Sequence, residues 1–120
     1  MEDAMQWETL WTFRTWNFAV VLDWTEEDSP DLSWDDTGEV QEKIASGEWV
    51  NCLFRVRVFC NGMVIGTDYL GNSIHERPED FRDHLGCGPK GYGSYFADMV
   101  REAVKEARRT LNELPQVRAA

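Results

Sequence analysis

Residues 49–60 alternate almost without a break. Val50, Cys52, Phe54, Val56, Val58 and Cys60 share one face, while Asn51, Arg55 and Arg57 share the other. Strand side chains point to opposite faces in turn, so the pattern predicts a strand with one buried side. Asn61-Gly62 follows at once. A two-residue Asn-Gly loop suits the turn whose backbone twist matches paired strands, which predicts a hairpin with its second strand over 63–70. Such a hairpin has an apolar face to bury and needs a further layer to cover it.

Two other segments supply that layer. Trp16, Phe18, Val20, Leu22 and Trp24 have period two, and Trp11, Phe13 and Thr15 suit an extended chain ahead of them. Together they predict one long strand over about 12–25, with Trp16, Trp24 and Trp49 as core material. Residues 1–10 are ambiguous, because Trp7 and Trp11 sit at helical spacing. Towards the other end, Phe96, Met99, Val100, Ala103, Val104, Ala107, Leu111 and Leu114 make one helical stripe, predicting a helix over about 94–114. Asp98 near its start and Arg108 and Arg109 near its end complement the helix dipole. Pro78-Glu79-Asp80 opens a shorter helix running through Leu85, with Gly86 as its stop.

The expected fold is α+β. Three antiparallel strands form a sheet, the long C-terminal helix packs on one face, and a short helix lies in an acidic insertion between strands 1 and 2. One domain spanning 1–120 accommodates all of this, at a length that buries about two thirds of the unfolded surface.

The insertion, about 25–48, is where the charge concentrates. From Asp23 to Glu48 the chain carries ten acidic residues and a single base, Lys43, giving a formal −9 of the total −10. The remaining residues are close to neutral, with twelve acids and eleven bases. Like charge packed into a short segment costs stability and steers a cationic partner toward it. Ser29-Pro30 and Trp34-Asp35-Asp36 read as loop. Asp35 or Asp36 can N-cap a helix over about 37–46, with Val40 and Ile44 facing inward and Gly47 ending it. On that reading Asp35 or Asp36, Glu39 and Glu42 share a helical face, with Cβ atoms about 5–6 Å apart. Carboxylates so spaced approximate the charge of a nucleic-acid strand and suit Lys/Arg clefts built for DNA. Trp34, expected to be partly exposed, would add an apolar or cation–π anchor. A second acidic group, Glu76, Glu79, Asp80 and Asp83, has Arg77 and Arg82 beside it as compensation.

Other chemistries fit less well. Counting from Asp31, the residues Ser33, Asp35, Thr37, Glu39 and Glu42 fall at calcium-loop positions, but Asp36 stands where the loop's sharp turn requires glycine. Gly86 to Gly91 matches a dinucleotide fingerprint literally, yet no strand precedes it, so a linker between helices is expected. His84 and Cys87 have usable zinc spacing, with Cys60 and His75 elsewhere, but structural zinc usually takes two such pairs. No Ser or Cys lies in a nucleophile motif, so no enzyme is expected and no catalytic residue, cofactor or metal is assigned. Cys52, Cys60 and Cys87 make an odd count. The first two, about 27 Å apart on one strand, are too distant to bridge, which suits reduced thiols in a cytoplasm. The longest apolar run is too short to span a membrane. The opening Met-Glu-Asp is acidic where a secretory leader needs a basic region. Direct binding of nucleic acid is disfavoured by the overall charge.

Three segments resemble a known group: Thr67-Asp68-Tyr69-Leu70-Gly71, Phe81-Arg82-Asp83-His84-Leu85-Gly86, and Gly93-Ser94-Tyr95-Phe96-Ala97-Asp98-Met99-Val100-Arg101-Glu102-Ala103 with Glu106-Ala107-Arg108. They are similar to small proteins found in proteobacterial phages, plasmids and genomic islands. The resemblance covers about the C-terminal half and brings no catalytic residues. It implies an inhibitor of the anti-CRISPR or anti-restriction kind, acting in the host cytoplasm on the DNA-binding surface of a defence nuclease complex. The expected contact residues are Glu26, Glu27, Asp28, Asp31, Trp34, Asp35, Asp36, Glu39 and Glu42. The alternative is a small calcium-responsive or adaptor module for a basic protein. Homodimerisation through a sheet edge stays open.

Overall fold

A computed structural model describes residues 6–28, 31–83 and 95–113. The elements run β1 (Glu8–Arg14), β2 (Phe18–Glu26), α1 (Glu39–Ser46), β3 (Val50–Cys60), β4 (Met63–His75), α2 (Glu79–Asp83) and α3 (Tyr95–Glu113). The strands form one antiparallel sheet in the order β1-β2-β3-β4.

This corrects the expected three-stranded sheet. The predicted strand over 12–25 is two strands, because the chain reverses at Thr15–Phe18, where the Thr15 amide donates to the Phe18 carbonyl at 2.8 Å. Phe13 then pairs with Val20, and Trp11 with Leu22. The apolar positions change from odd to even numbers across this turn, as a two-residue turn requires and an unbulged continuous strand forbids. Trp16, expected in the core, sits in the turn at 93% exposure. The short helix accordingly lies after the second strand, between β2 and β3.

The β3–β4 hairpin forms as expected. Asn61 and Gly62 both take positive φ, 51° and 84°, and Cys60 pairs with Met63. β4 continues to His75, beyond the expected end at 70. The β3–β4 register shifts between Cys52 and Phe54, and Asn72, with φ 52°, sits in that irregular stretch. Gly71-Asn72 therefore marks a bulge in the strand and not its end.

One face of the sheet makes the core with α3. Leu22, Phe54, Val56 and Phe96 are fully buried, and Met99, Ala103 and Ala107 complete the helix stripe. Burying each large apolar side chain is worth about 1.5–3 kcal/mol. Phe81 of α2 stacks on Phe54 with centroids 3.9 Å apart. α3 presses closely on β4 at Gly66. A Cβ there would run into the Ala103 carbonyl and lie 2.9 Å from the Ala107 amide nitrogen. From α3, Glu106 accepts the Thr67 amide at 2.8 Å, occupying a polar group of the sheet's last strand. Among the described residues, no helix is long and apolar enough to cross a membrane. The glycine stretch Gly86 to Gly91, with His84 and Cys87, lies outside the described residues.

Candidate binding surface

The segment between β2 and β3 is built from side-chain anchors and not from a core. Glu27 starts it: its amide donates to the Asn51 carbonyl at 2.9 Å, and its own carbonyl accepts from Asn51 Nδ2 at 3.1 Å. Its carboxylate accepts the Asn72 amide at 2.8 Å. Asn72 also takes the Asp31 amide on Oδ1 at 3.0 Å and donates from Nδ2 to the Asp31 carbonyl at 3.2 Å. The left-handed backbone that makes Asn72 a bulge residue thus aims its amide at the incoming loop. The Asp31 carbonyl accepts a second donor, Trp34 Nε1, at 3.0 Å.

α1 begins at Glu39, with Gly38 as its N-cap in a left-handed conformation and without a side-chain cap. Asp35 and Asp36 are therefore not on the helix, contrary to the shared face expected of them. Asp35 instead reaches forward, its Oδ2 accepting the Gln41 amide at 3.1 Å. Glu39 and Glu42 keep helical spacing, three residues apart. Gly47 ends the helix with φ 87°, as its position implies.

Each predicted contact residue can now be placed. Glu26, Asp28, Asp31, Asp36, Glu39 and Glu42 are exposed, and Glu27 and Asp35 are half-buried. Trp34 is 56% exposed. Three of the carboxylates have structural work. Glu27 and Asp35 hold amides as above, and Asp31 Oδ1 accepts the Ser33 amide at 3.1 Å. That bond draws the Asp31 pKa below the ordinary carboxylate range. Asp31 and Asp35 are thus turned onto local backbone amides. Among the described residues no three His, Cys, Asp or Glu side chains converge as a metal site needs, so the calcium-like spacing does not gather its ligands.

Two acids inside the charged window belong elsewhere. Glu48 pairs with Lys43 at 3.0 Å. Asp23 is on the sheet face away from α3 and only 1% exposed. Its Oδ2 accepts Arg55 Nε at 3.0 Å and Arg57 Nη2 at 2.6 Å, and its Oδ1 accepts the Thr9 hydroxyl at 2.8 Å. Trp7 lies over the Arg55 guanidinium at 3.8 Å from ring centroid to Cζ. Sequence reasoning missed this cluster. The signal was present, since Arg55 and Arg57 occupy the polar face of β3 and Asp23 the alternate face of β2.

The second acidic group is compensated in part as expected, with Arg77 Nη2 3.1 Å from Asp80 Oδ1. Where it meets the insertion, Trp34, Val40, Trp49, Ile74, His75, Glu76 and Asp80 line a groove of about 400 Å³. His75 packs edge-on to Phe54 and Phe81 and shares a hydrogen bond with Ser73 at 2.9 Å. Cys52 is buried, which with nearby Glu26 and Glu79 pushes its thiol up to about 12, so it stays protonated and unreactive. Cys60 is a free thiol too.

No protein-family model, curated protein or solved structure matches this chain.

Proposed function

We propose that this protein is a non-enzymatic inhibitor of a host defence complex, of the anti-CRISPR kind. Its acidic segment occupies a positively charged DNA-binding surface of a CRISPR effector or another defence nuclease. One observation carries the reading. Between Glu26 and Val50 no described residue is buried, yet Asp28, Asp36, Glu39 and Glu42 are displayed there. A helix with no fully buried residue, its Val40 and Ile44 only half-buried, contributes little to the core, and its like charges repel one another. Display to a partner accounts for both. Inhibition of this type needs affinity and no turnover, so it asks for no catalytic group.

The displayed carboxylates would act first on association. Exposed charge raises the encounter rate and is screened over about 8 Å at physiological salt. Affinity purification with the tagged protein, from a bacterium whose CRISPR systems are active, tests the proposal. The captured complex should be a nucleic-acid-binding assembly, released by rising salt and by competing target DNA. Capture that neither salt nor DNA affects would exclude occupation of a DNA cleft.

A further inference from the structure

We infer that the groove between Trp34 and Trp49 receives one cationic side chain, an arginine or lysine, projecting from the partner. The inference rests on the reading above that the partner is basic.

The groove has a fixed aromatic wall. Trp34 leaves more than half of its surface to solvent, yet its Nε1 is held by the Asp31 carbonyl at 3.0 Å. That carbonyl is held in turn by Asn72 of β4, at 3.2 Å. An exposed tryptophan tied down through two hydrogen bonds loses little freedom on binding, which is what an interface anchor requires. Trp49 lines the same groove, and its ring already attracts a cation. Lys43 Nζ lies 5.8 Å from the ring centroid, at the outer limit of a cation–π contact.

The rim is acidic. Glu76 and Asp80 line the groove, and Glu39 and Glu48 stand close enough to Lys43, with Glu76, to raise its pKa. The bond to Glu48 is the first cause of that rise. Lys43 pairs with Glu48, and Arg77 with Asp80. Among the described residues two cations thus answer four carboxylates, which leaves that part of the rim negative. An apolar guest would desolvate the Glu76 carboxylate at a cost it cannot offset, whereas a guanidinium or ammonium suits both the rings and the rim. The volume, about 400 Å³, is within the range of small-ligand sites.

The test uses the whole ¹⁵N-labelled protein and a capped Gly-Arg-Gly peptide, with Gly-citrulline-Gly as its neutral counterpart. The arginine peptide should shift the indole N–H signals of Trp34 and Trp49 saturably, and citrulline should not. Trp16, exposed in a turn away from the groove, should stay put. Equal shifts from both peptides, or a Trp16 shift as large as that of Trp34, would overturn the inference. With the captured complex, Trp34→Ala should weaken binding about tenfold, a loss typical of an interface anchor. Trp34→Phe, which keeps a ring, should weaken it less. If reversing the displayed carboxylates abolishes capture while Trp34→Ala changes nothing, the groove fails and the acidic-surface reading stands. If neither matters, both fail.

Discussion

Asp23 and Asp36 belong to the same acidic stretch, yet the fold gives them opposite work. Asp23 is buried on the sheet between two arginines, one of them covered by Trp7, so its charge is paired. Asp36 stands in solvent, outside the first turn of α1. A buried carboxylate with two guanidiniums fixes the register of β2 on β3. An exposed one fixes nothing in the fold and is available to something else. Net charge alone treats the two as equal, and burial separates them.

Removing Asp23 should have the largest effect. Asp23→Ala leaves Arg55 and Arg57 without their carboxylate, and breaking such a pair costs about 3 kcal/mol. Urea unfolding measures this directly. A loss below about 1 kcal/mol would mean that water reaches the guanidiniums and that the two regions differ less than described.

Asn72 joins the regions, and its loss should be intermediate. Asn72→Gly keeps the left-handed backbone and deletes the side-chain bonds to Asp31, for about 1 kcal/mol. Amide exchange should quicken at Asp31 and Ser33 while the β3–β4 core amides hold. Uniform quickening across the sheet would show that the insertion is not a separate unit.

Asp68 tests the comparison through pH. Its pKa is raised, first by desolvation and then by Glu102, with Glu106 adding to it. A carboxyl whose folded pKa exceeds its unfolded value contributes stability below the unfolded pKa, and that contribution is lost as pH rises through the folded pKa. At neutral pH Asp68 is therefore a small net cost. Asp68→Asn should raise the melting temperature slightly at neutral pH, and the gain should vanish once the pH falls below the carboxylate range. A gain that persists in acid would point to packing and not charge.

The smallest effect on stability should come from the displayed acids. Asp36→Lys, Glu39→Lys and Glu42→Lys should each change unfolding free energy by no more than roughly 0.5 kcal/mol, with an unchanged circular dichroism spectrum. A cooperative loss of the size expected for Asp23 would make these residues structural.

The hairpin was legible because Asn61-Gly62 leaves the backbone little choice, and α3 because its stripe holds for five turns. The β1–β2 turn was not read, since Thr15-Trp16-Asn17 contains neither glycine nor proline and Trp16 looks like core. Only the change of parity between Phe13 and Phe18 gave it away. The length of β4 was hidden by Gly71-Asn72, which imitates a strand end. In the candidate binding surface, the charge and the exposed Trp34 were legible. Which carboxylates are committed was not: Asp31 and Asp35 take local amides that an exposed loop acid need not take, and the partners of Asp23 and Glu27 lie far off in sequence. Thr9 meets Asp23 across fourteen residues, and Glu27 meets Asn72 across forty-five.

Binding of target DNA by the captured defence complex, measured with increasing amounts of this protein, is the most direct test. The unmodified chain should weaken DNA binding in a way that excess DNA restores. The chain with lysine at positions 36, 39 and 42 should leave it unaltered. Equal inhibition by both would contradict the assignment of these carboxylates to the partner.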